Sequence, residues 1–334
     1  MLQVLVDNLL LARNETLARQ ECSTWPCTSH FFRAKDSHDA CHISVIFDFC
    51  ERLAAFAQDV GADDKVVVVP ASGDRHSFLE ATLHVGAYLI LTHKMSAEAV
   101  QEAVLVPHTT AQRDQDGFPT SWDDLHLLSF WKAFEHALAL NWLVHADSED
   151  EPGLDVEELA HYAAPSNGAL HLTAPGSMYF FTTPTDLPGE EQWADHTTES
   201  GGTVRRFSPA YYAALFAEEL DVPVVACLGE GSAGAAAAFA ARGIEAVDLG
   251  LAADGSSTLR GLDLLLALTR AAPGAVAVCS GGGREWPGYL ATLVAAVLVS
   301  RLGFDDGSAR AWLRMAGPWM LAAAGERDAF MKRH

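Results

Sequence analysis

A pattern of strand, tight turn and buried helix occurs twice in the sequence and restricts the folds that it can adopt. Residues 65–70 and 275–279 are valine-rich runs typical of strands buried on both faces of a sheet. Each run leads through a short turn into a long apolar stretch, 78–92 or 289–302, which predicts a buried helix. The two units lie about 210 residues apart, which favours two related α/β domains with mostly parallel sheets.

The length of the chain agrees with this division. It has 334 residues, and single hydrophobic cores rarely extend past roughly 250 residues. A charged segment that contains Pro152 and Gly153 follows the first unit and predicts a boundary. We therefore expect a first domain over 1–152, a linker helix over 153–168 and a second domain over 169–334.

Local patterns predict the remaining elements. Acidic helices are expected to follow the two repeated units, at 96–105 and 305–315. The polar residues 190–202 predict an exposed loop. The other expected elements are a helix over 155–164, strands within 172–183 with a turn at Pro175-Gly176, a strand over 222–228, a helix over 234–242 and a strand over 244–249.

The charge of the chain limits the partners that it can bind. Lys and Arg number 22 and Asp and Glu number 44, which gives a formal net charge of −22. Such a surface repels the phosphates of nucleic acids, whereas it is compatible with basic protein segments. The N-terminal segment lacks the basic start of a signal peptide, and the uncharged run 286–300 is shorter than a membrane span. We therefore expect a cytoplasmic protein that binds neither nucleic acid nor membrane.

The six cysteines predict neither a disulfide framework nor a metal site. Cys22, Cys27 and Cys41 lie near histidines, but the sequence has no C-x2-C pair and their spacing matches no common zinc site. We therefore expect reduced thiols in the cytoplasm and no bound metal.

A first glycine-rich string, residues 229–234, reads Gly-Glu-Gly-Ser-Ala-Gly between a predicted strand and a predicted helix. Such a G-x-G-x-x-G string is typical of dinucleotide sites, where pyrophosphate lies on the helix N-terminus. However, Glu230 brings negative charge into the proposed site, and Asp248 follows at less than the usual ~20 residues. We expect no cofactor, and nucleotide binding stays an alternative.

The second glycine-rich loop is more informative. Residues 279–284 read Cys-Ser-Gly-Gly-Gly-Arg between a predicted strand and a predicted helix, which is the layout of a cysteine phosphatase signature. In that chemistry a thiolate attacks phosphorus, so loop N–H groups and the helix N-terminus must lower the pKa of the thiol. An arginine holds two phosphoryl oxygens, and an aspartic acid protonates the leaving oxygen.

Short segments, in order along nearly the whole chain, carry a family resemblance. In the first half they are Phe31-Phe-Arg, His84-Val-Gly-Ala-Tyr-Leu-Ile, Phe130-Trp-Lys-Ala-Phe-Glu-His-Ala and Asp155-Val-Glu-Glu-Leu-Ala-His-Tyr. In the second half they are Ala174-Pro-Gly-Ser-Met, Val247-Asp-Leu-Gly, Asp254-Gly-Ser, Gly274-Ala-Val-Ala-Val and Ala311-Trp-Leu-Arg. On these residues the chain resembles the cell-division-cycle-fourteen family of dual-specificity phosphatases. The resemblance implies two tandem cysteine-phosphatase-like domains, of which the first is non-catalytic.

The family signature, V-H-C-K-A-G-x-G-R-T-G, aligns without a gap to residues 278–288. In this register Ser280 takes the place of the nucleophilic cysteine, Trp286 takes the place of the arginine, and Glu285 enters the loop. A serine without a base stays protonated, an indole cannot replace a guanidinium fork, and a carboxylate repels phosphate. The gapless register therefore implies a catalytically inactive phosphatase.

A second register deletes one residue and pairs Cys279 with Arg284 as Cys-x4-Arg. The contracted loop would redirect the arginine, and a misplacement of about 1 Å can cost ~100-fold in rate. The resemblance implies Asp254 as the general acid. The family's two glutamines that orient the hydrolytic water align near Gly325-Glu326, so this chain lacks them. The alternative function is therefore a weak tyrosine or serine phosphatase that uses these residues and a cysteinyl-phosphate intermediate.

The family's acidic substrate groove is matched only in part. Asp155 and Glu158 match acidic positions of the linker helix, and Ala160 replaces a glutamate. Both acids are also explained as residues that stabilise a helix N-terminus. We predict a pseudophosphatase that acts as a structural or scaffolding protein for protein partners, including basic segments. The resemblance implies a cytoskeletal, centrosomal or ciliary assembly.

Overall fold

The structure, a computed structural model, forms two compact α/β units. They are Met1–Leu154 with Arg310–Met315, and Asp155–Ala309 with Ala316–His334. The residues described are 2–6, 8–12, 15–23, 28–34, 41–60, 63–105, 121–122, 125–143, 155–197, 203–228, 233–250, 258–280 and 286–317. Strand pairing in these ranges is mostly parallel in the two main sheets, which confirms the predicted α/β class.

The first unit contains the first valine-rich strand and the helices that follow it. Its elements are β1 (Leu2–Val6), β2 (Leu9–Ala12), α1 (Glu15–Cys22), β3 (Ser29–Arg33), α2 (Ile43–Asp59), β4 (Lys65–Val69), α3 (Arg75–His93), α4 (Ala97–Leu105), β5 (Ser121–Trp122), β6 (Leu125–His126) and α5 (Leu127–Ala139). The strand, buried helix and acidic helix predicted between residues 65 and 105 are therefore confirmed.

The main sheet of the first unit has the order β1-β2-β4-β3. Strands β1 and β2 form an antiparallel pair, whereas β2, β4 and β3 run parallel to one another. Residues 66–69 of β4 are all buried, so both faces of this strand are covered. A strand in that position needs apolar side chains on both faces, which explains its uninterrupted valine run.

The helix after β4 is buried on all sides, because every residue of α3 from Ser77 to Leu91 is buried. A helix packed so closely needs a small residue where a neighbouring side chain approaches. A Cβ placed on Gly86 would lie 2.1 Å from Nε1 of Trp131 in α5. The same Nε1 donates a hydrogen bond of 3.2 Å to the carbonyl oxygen of Leu83. The Trp131 ring therefore lies directly against the backbone of α3.

The second unit contains the second valine-rich strand. Its elements are α6 (Val156–Ala163), a 3-10 helix (Pro165–Asn167), β7 (His171–Ala174), β8 (Met178–Phe181), β9 (Trp193–Thr197), β10 (Thr203–Phe207), α7 (Pro209–Glu218), β11 (Val224–Leu228), α8 (Ala233–Ala240), β12 (Glu245–Asp248), α9 (Thr258–Ala271), β13 (Val276–Ser280) and α10 (Trp286–Leu302). The last helix is α11 (Asp306–Ala316), of which residues 310–315 group with the first unit.

The main sheet of the second unit has the order β12-β11-β13-β8-β7. Strands β7 and β8 are antiparallel, and β8, β13, β11 and β12 run parallel. In each main sheet, the antiparallel pair lies at one edge. The strand of that sheet that comes last in sequence, β4 or β13, lies between the strands that come second and third in sequence. A buried helix follows that last strand in both units, since residues 290–298 of α10 are buried as α3 is. The two units thus share one arrangement in their described parts.

The expectation of an exposed loop over 190–202 is wrong for residues 193–197, which are exposed but form a strand, and residues 198–202 lie outside the described residues. Residues 193–197 form β9, which pairs with β10 in an antiparallel hairpin. The guanidinium of Arg205 lies 3.8 Å from the ring centre of Trp193 and also donates two hydrogen bonds to the Asp195 carboxylate. This strand is largely exposed and polar, so no apolar alternation marks it in the sequence.

The core of the second unit is aromatic on the side of β8 that faces α7. The rings of Phe181, Tyr212 and Phe216 lie within 4.7 to 5.9 Å of one another between centres. The Tyr212 hydroxyl donates a hydrogen bond of 2.6 Å to the carbonyl oxygen of Gly168. The adjacent Tyr211 hydroxyl donates one of 2.9 Å to the carbonyl oxygen of Asn167. The segment that follows α6 is thereby fixed to the core of the second unit.

Candidate functional site

The predicted site lies at the carboxyl end of the central strand of the second unit. Cys279 is the fourth residue of β13, where it pairs in register with Cys227 of β11 and with Phe181 of β8. Its side chain is 2% exposed and belongs to the hydrophobic core of this unit. In open parallel sheets, ligands bind outside the carboxyl ends of the strands, so the end of β13 is a suitable place for a ligand-binding site. The sulfur itself, however, is packed inside the core.

The immediate partner of Cys279 is a second cysteine. The Cys279 thiol donates a hydrogen bond to the sulfur of Cys227, with 3.3 Å between the two sulfur atoms. This hydrogen bond, together with complete burial, raises the pKa of Cys279 well above its usual range. The pKa of Cys227 is lowered, because the bond that it accepts favours its thiolate, although burial and the Asp248 carboxylate oppose this effect. Near neutral pH, Cys279 is therefore a protonated thiol and not an activated nucleophile.

The structure does not describe the side chains of the other predicted catalytic residues. Ser280 is the last residue of β13 and Trp286 the first of α10, and their side chains are not among those described. Arg284 follows β13, Asp254 follows β12, and both lie outside the described residues. Cys279 is thus the predicted catalytic residue whose side-chain surroundings are known.

The corresponding turn in the first unit is occupied by its own carboxylate. It follows β4 and precedes α3, where Asp74 is the N-terminal cap. The carboxylate of Asp74 accepts hydrogen bonds of 2.8 and 2.9 Å from the backbone N–H groups of His76 and Ser77. The hydroxyl of Ser72 and these N–H groups lower the pKa of Asp74 to about 2. The donors that could hold an anion at this helix N-terminus already bind a carboxylate of the chain.

A carboxylate also lies at the start of α8, the helix opened by the G-x-G-x-x-G string. A Cβ placed on Gly234 would lie 2.8 Å from Oδ1 of Asp186. Residues 229–232 of the string lie outside the described residues. Because a carboxylate repels a phosphate, the position of Asp186 argues against a pyrophosphate on this helix N-terminus.

The two acidic residues predicted for a substrate groove have local roles. Asp155 caps α6, and its Oδ1 accepts a hydrogen bond of 2.9 Å from the backbone N–H of Glu158. The side chain of Glu158 is exposed, and its charge adds to burial in raising the pKa of Tyr179. Capping accounts for Asp155 without a substrate.

Sequence reasoning missed Cys227, Asp74 and Asp186. Cys227 stands at the end of a predicted strand, but only the strand order places it beside Cys279. Asp74 lies four residues before the predicted start of the helix at residue 78 and directly before its observed start at Arg75, and an aspartate at such a position is a capping signal. Asp186 lies 47 residues before Ala233, the first residue of α8, and no local sequence pattern connects the two.

Comparison of the chain with protein-family models and with curated protein sequences finds no match. Within the described ranges, no three His, Cys, Asp or Glu side chains are grouped so that they could hold a metal ion. In the same part of the chain, every helix falls short of the length or the apolar character that a membrane span requires.

Proposed function

We propose that the protein is a pseudophosphatase, built of two tandem phosphatase-like domains and acting as a structural or scaffolding component through its surfaces. The shared arrangement of the two units supports the tandem part of this proposal. In both main sheets, the strand that comes last in sequence lies between the second and the third strands of that sheet. A buried helix follows this strand in both units. In the second unit this strand ends at Cys279 and Ser280, which is where a phosphatase signature begins.

The observation that carries the proposal is the environment of the Cys279 sulfur. A phosphatase nucleophile must be a thiolate that faces the phosphate and is stabilised by loop N–H groups. Cys279 is instead a buried thiol whose proton is donated to Cys227. Both the hydrogen bond and the burial favour the protonated form. This environment is the opposite of the one that the chemistry requires.

The same burial favours the gapless register of the signature. In that register Cys279 stands one residue before the nucleophile position. A residue at that earlier position is part of the strand, and its side chain belongs to the core. Ser280 then stands at the nucleophile position and Trp286 at the arginine position. A serine hydroxyl and an indole supply neither a strong nucleophile nor a bidentate phosphate clamp.

The first unit supports the non-catalytic reading of its own domain. Its turn between β4 and α3 has no cysteine, and the carboxylate of Asp74 holds the N–H groups of the helix. The scaffolding role rests on the family resemblance and on the net charge of −22, which is compatible with basic protein segments. The resemblance alone is the ground for a cytoskeletal or ciliary assembly.

The test is an assay of phosphate release by the purified full chain. We expect no turnover of p-nitrophenyl phosphate, or of phosphotyrosine and phosphoserine peptides, above the level of buffer. The matched control is Cys279→Ser, which should give the same baseline because Cys279 is not a nucleophile. Steady turnover by the natural chain that disappears in Cys279→Ser would establish the alternative, a weak phosphatase using Cys279, Arg284 and Asp254.

A further inference from the structure

We propose that Cys227 and Cys279 are a redox-sensitive pair that forms an intramolecular disulfide when the protein meets a peroxide. The two residues come from neighbouring parallel strands, β11 and β13, and are direct register partners. The proposal goes beyond the function above, since it concerns the reactivity of a thiol pair and holds whether or not the second unit hydrolyses phosphate.

The geometry of the pair suits a disulfide. Neighbouring strands lie about 4.8 Å apart, and disulfides join Cα atoms that are about 4.4–6.8 Å apart. The sulfur atoms are 3.3 Å apart, so they must approach by roughly 1.3 Å to reach the S–S bond length. Side-chain rotation can supply this movement, and the ladder between β11 and β13 can stay intact.

The two thiols also have different chemical roles. Cys227 is partly exposed, and the hydrogen bond from Cys279 favours its thiolate. It is therefore the sulfur that attacks the peroxide: an S–O bond forms, the O–O bond breaks, and hydroxide leaves. The sulfur of Cys279 then attacks the sulfenic acid of Cys227, forming the S–S bond and breaking the S–O bond. The peroxide gains two electrons and, with the two thiol protons, becomes two molecules of water.

Burial gives the pair its selectivity. Cys50 in α2 is buried, and burial raises the pKa of its thiol, so its thiolate is scarce. Cys279 is buried as well, but its sulfur lies next to a reactive thiol. A peroxide should therefore oxidise Cys227 before the buried Cys50, and Cys279 should react with the oxidised Cys227 and not with the peroxide.

The experiment treats the native, fully reduced chain with hydrogen peroxide, quenches the reaction and maps the cysteines by mass spectrometry. Trypsin separates the two residues into peptides 207–242 and 271–284, and each peptide contains one cysteine. We expect these peptides to become joined, with the loss of two hydrogens, and to separate again on reduction. The same treatment in concentrated urea, where the strands no longer hold the sulfurs together, should give far less of this product.

Single variants supply the second measurement. In Cys279→Ser, we expect Cys227 to proceed to sulfinic acid because no resolving thiol is present. In Cys227→Ser, we expect Cys279 to stay reduced at the same dose of peroxide. The proposal is overturned if native protein accumulates sulfinic acid at Cys227 while Cys279 stays free. It is also overturned if Cys227 and Cys279 remain reduced at a dose that oxidises Cys50.

Discussion

Replacing Gly86 with alanine is expected to destabilise the first unit by about 1–3 kcal/mol, because the added methyl group has no space. It would lie 2.1 Å from Nε1 and 2.3 Å from Cε2 of Trp131. The ring cannot move freely, since Trp131 is 0% exposed and its Nε1 donates a hydrogen bond to the carbonyl oxygen of Leu83. Helix propensity alone predicts the opposite sign, because alanine is favoured over glycine by ~1 kcal/mol in a helix interior. At this position the steric clash outweighs the propensity.

Urea denaturation followed by circular dichroism measures this effect. The matched control is Gly73→Ala, since a Cβ on Gly73 meets nothing within 4 Å. A double variant of Gly86→Ala with Trp131→Leu should lose less stability than the sum of the single changes, because removing the ring removes the clash. A Gly86→Ala protein as stable as the natural chain would show that Trp131 does not pack against α3 as described.

Replacing Phe181 with alanine is expected to cost about 3–5 kcal/mol, because it opens a cavity in the core of the second unit. Phe181 is 0% exposed, and its ring lies 4.7 Å from that of Tyr212 and 5.0 Å from that of Phe216. It is also the register partner of Cys279 in the neighbouring strand. The aromatic core that buries the Cys279 sulfur thus depends on this residue.

Two further variants make the Phe181 result specific. Phe181→Leu keeps much of the volume, and its cost should stay below about 1.5 kcal/mol. Trp193→Ala removes a larger ring that is 47% exposed, and it should change the free energy of unfolding much less than Phe181→Ala does. Equal losses for Trp193→Ala and Phe181→Ala would contradict the assignment of Phe181 to the core.

The sequence could predict the parts of the fold whose side chains are fully buried. The valine runs of β4 and β13 and the helices after them, α3 and α10, were all predicted because burial on every side leaves a continuous apolar pattern. The strand β9 was missed because its exposed, polar residues are held by cross-strand contacts that leave no local pattern.

The candidate site was predictable only in position. The end of β13 could be recognised from its glycine-rich continuation, but the state of Cys279 depends on Cys227, which is 52 residues earlier in the chain. That contact exists because β13 inserts next to β11 in the strand order, and strand order is a long-range property. Asp155 illustrates the reverse case, because its role as a helix cap is local and was among the readings that the sequence allowed.

Alkylation of the native, reduced chain can show whether Cys279 is a buried protonated thiol or a phosphate-binding nucleophile. Iodoacetamide labelling is followed by mass spectrometry of peptides 207–242 and 271–284 over a range of pH. Because its pKa is raised, Cys279 should stay unlabelled through neutral pH while Cys227 reacts, and orthovanadate should change neither rate. Rapid labelling of Cys279 at about pH 6, blocked by orthovanadate, would show that Cys279 is a phosphatase nucleophile, since only an activated thiolate in an oxyanion site reacts in that way.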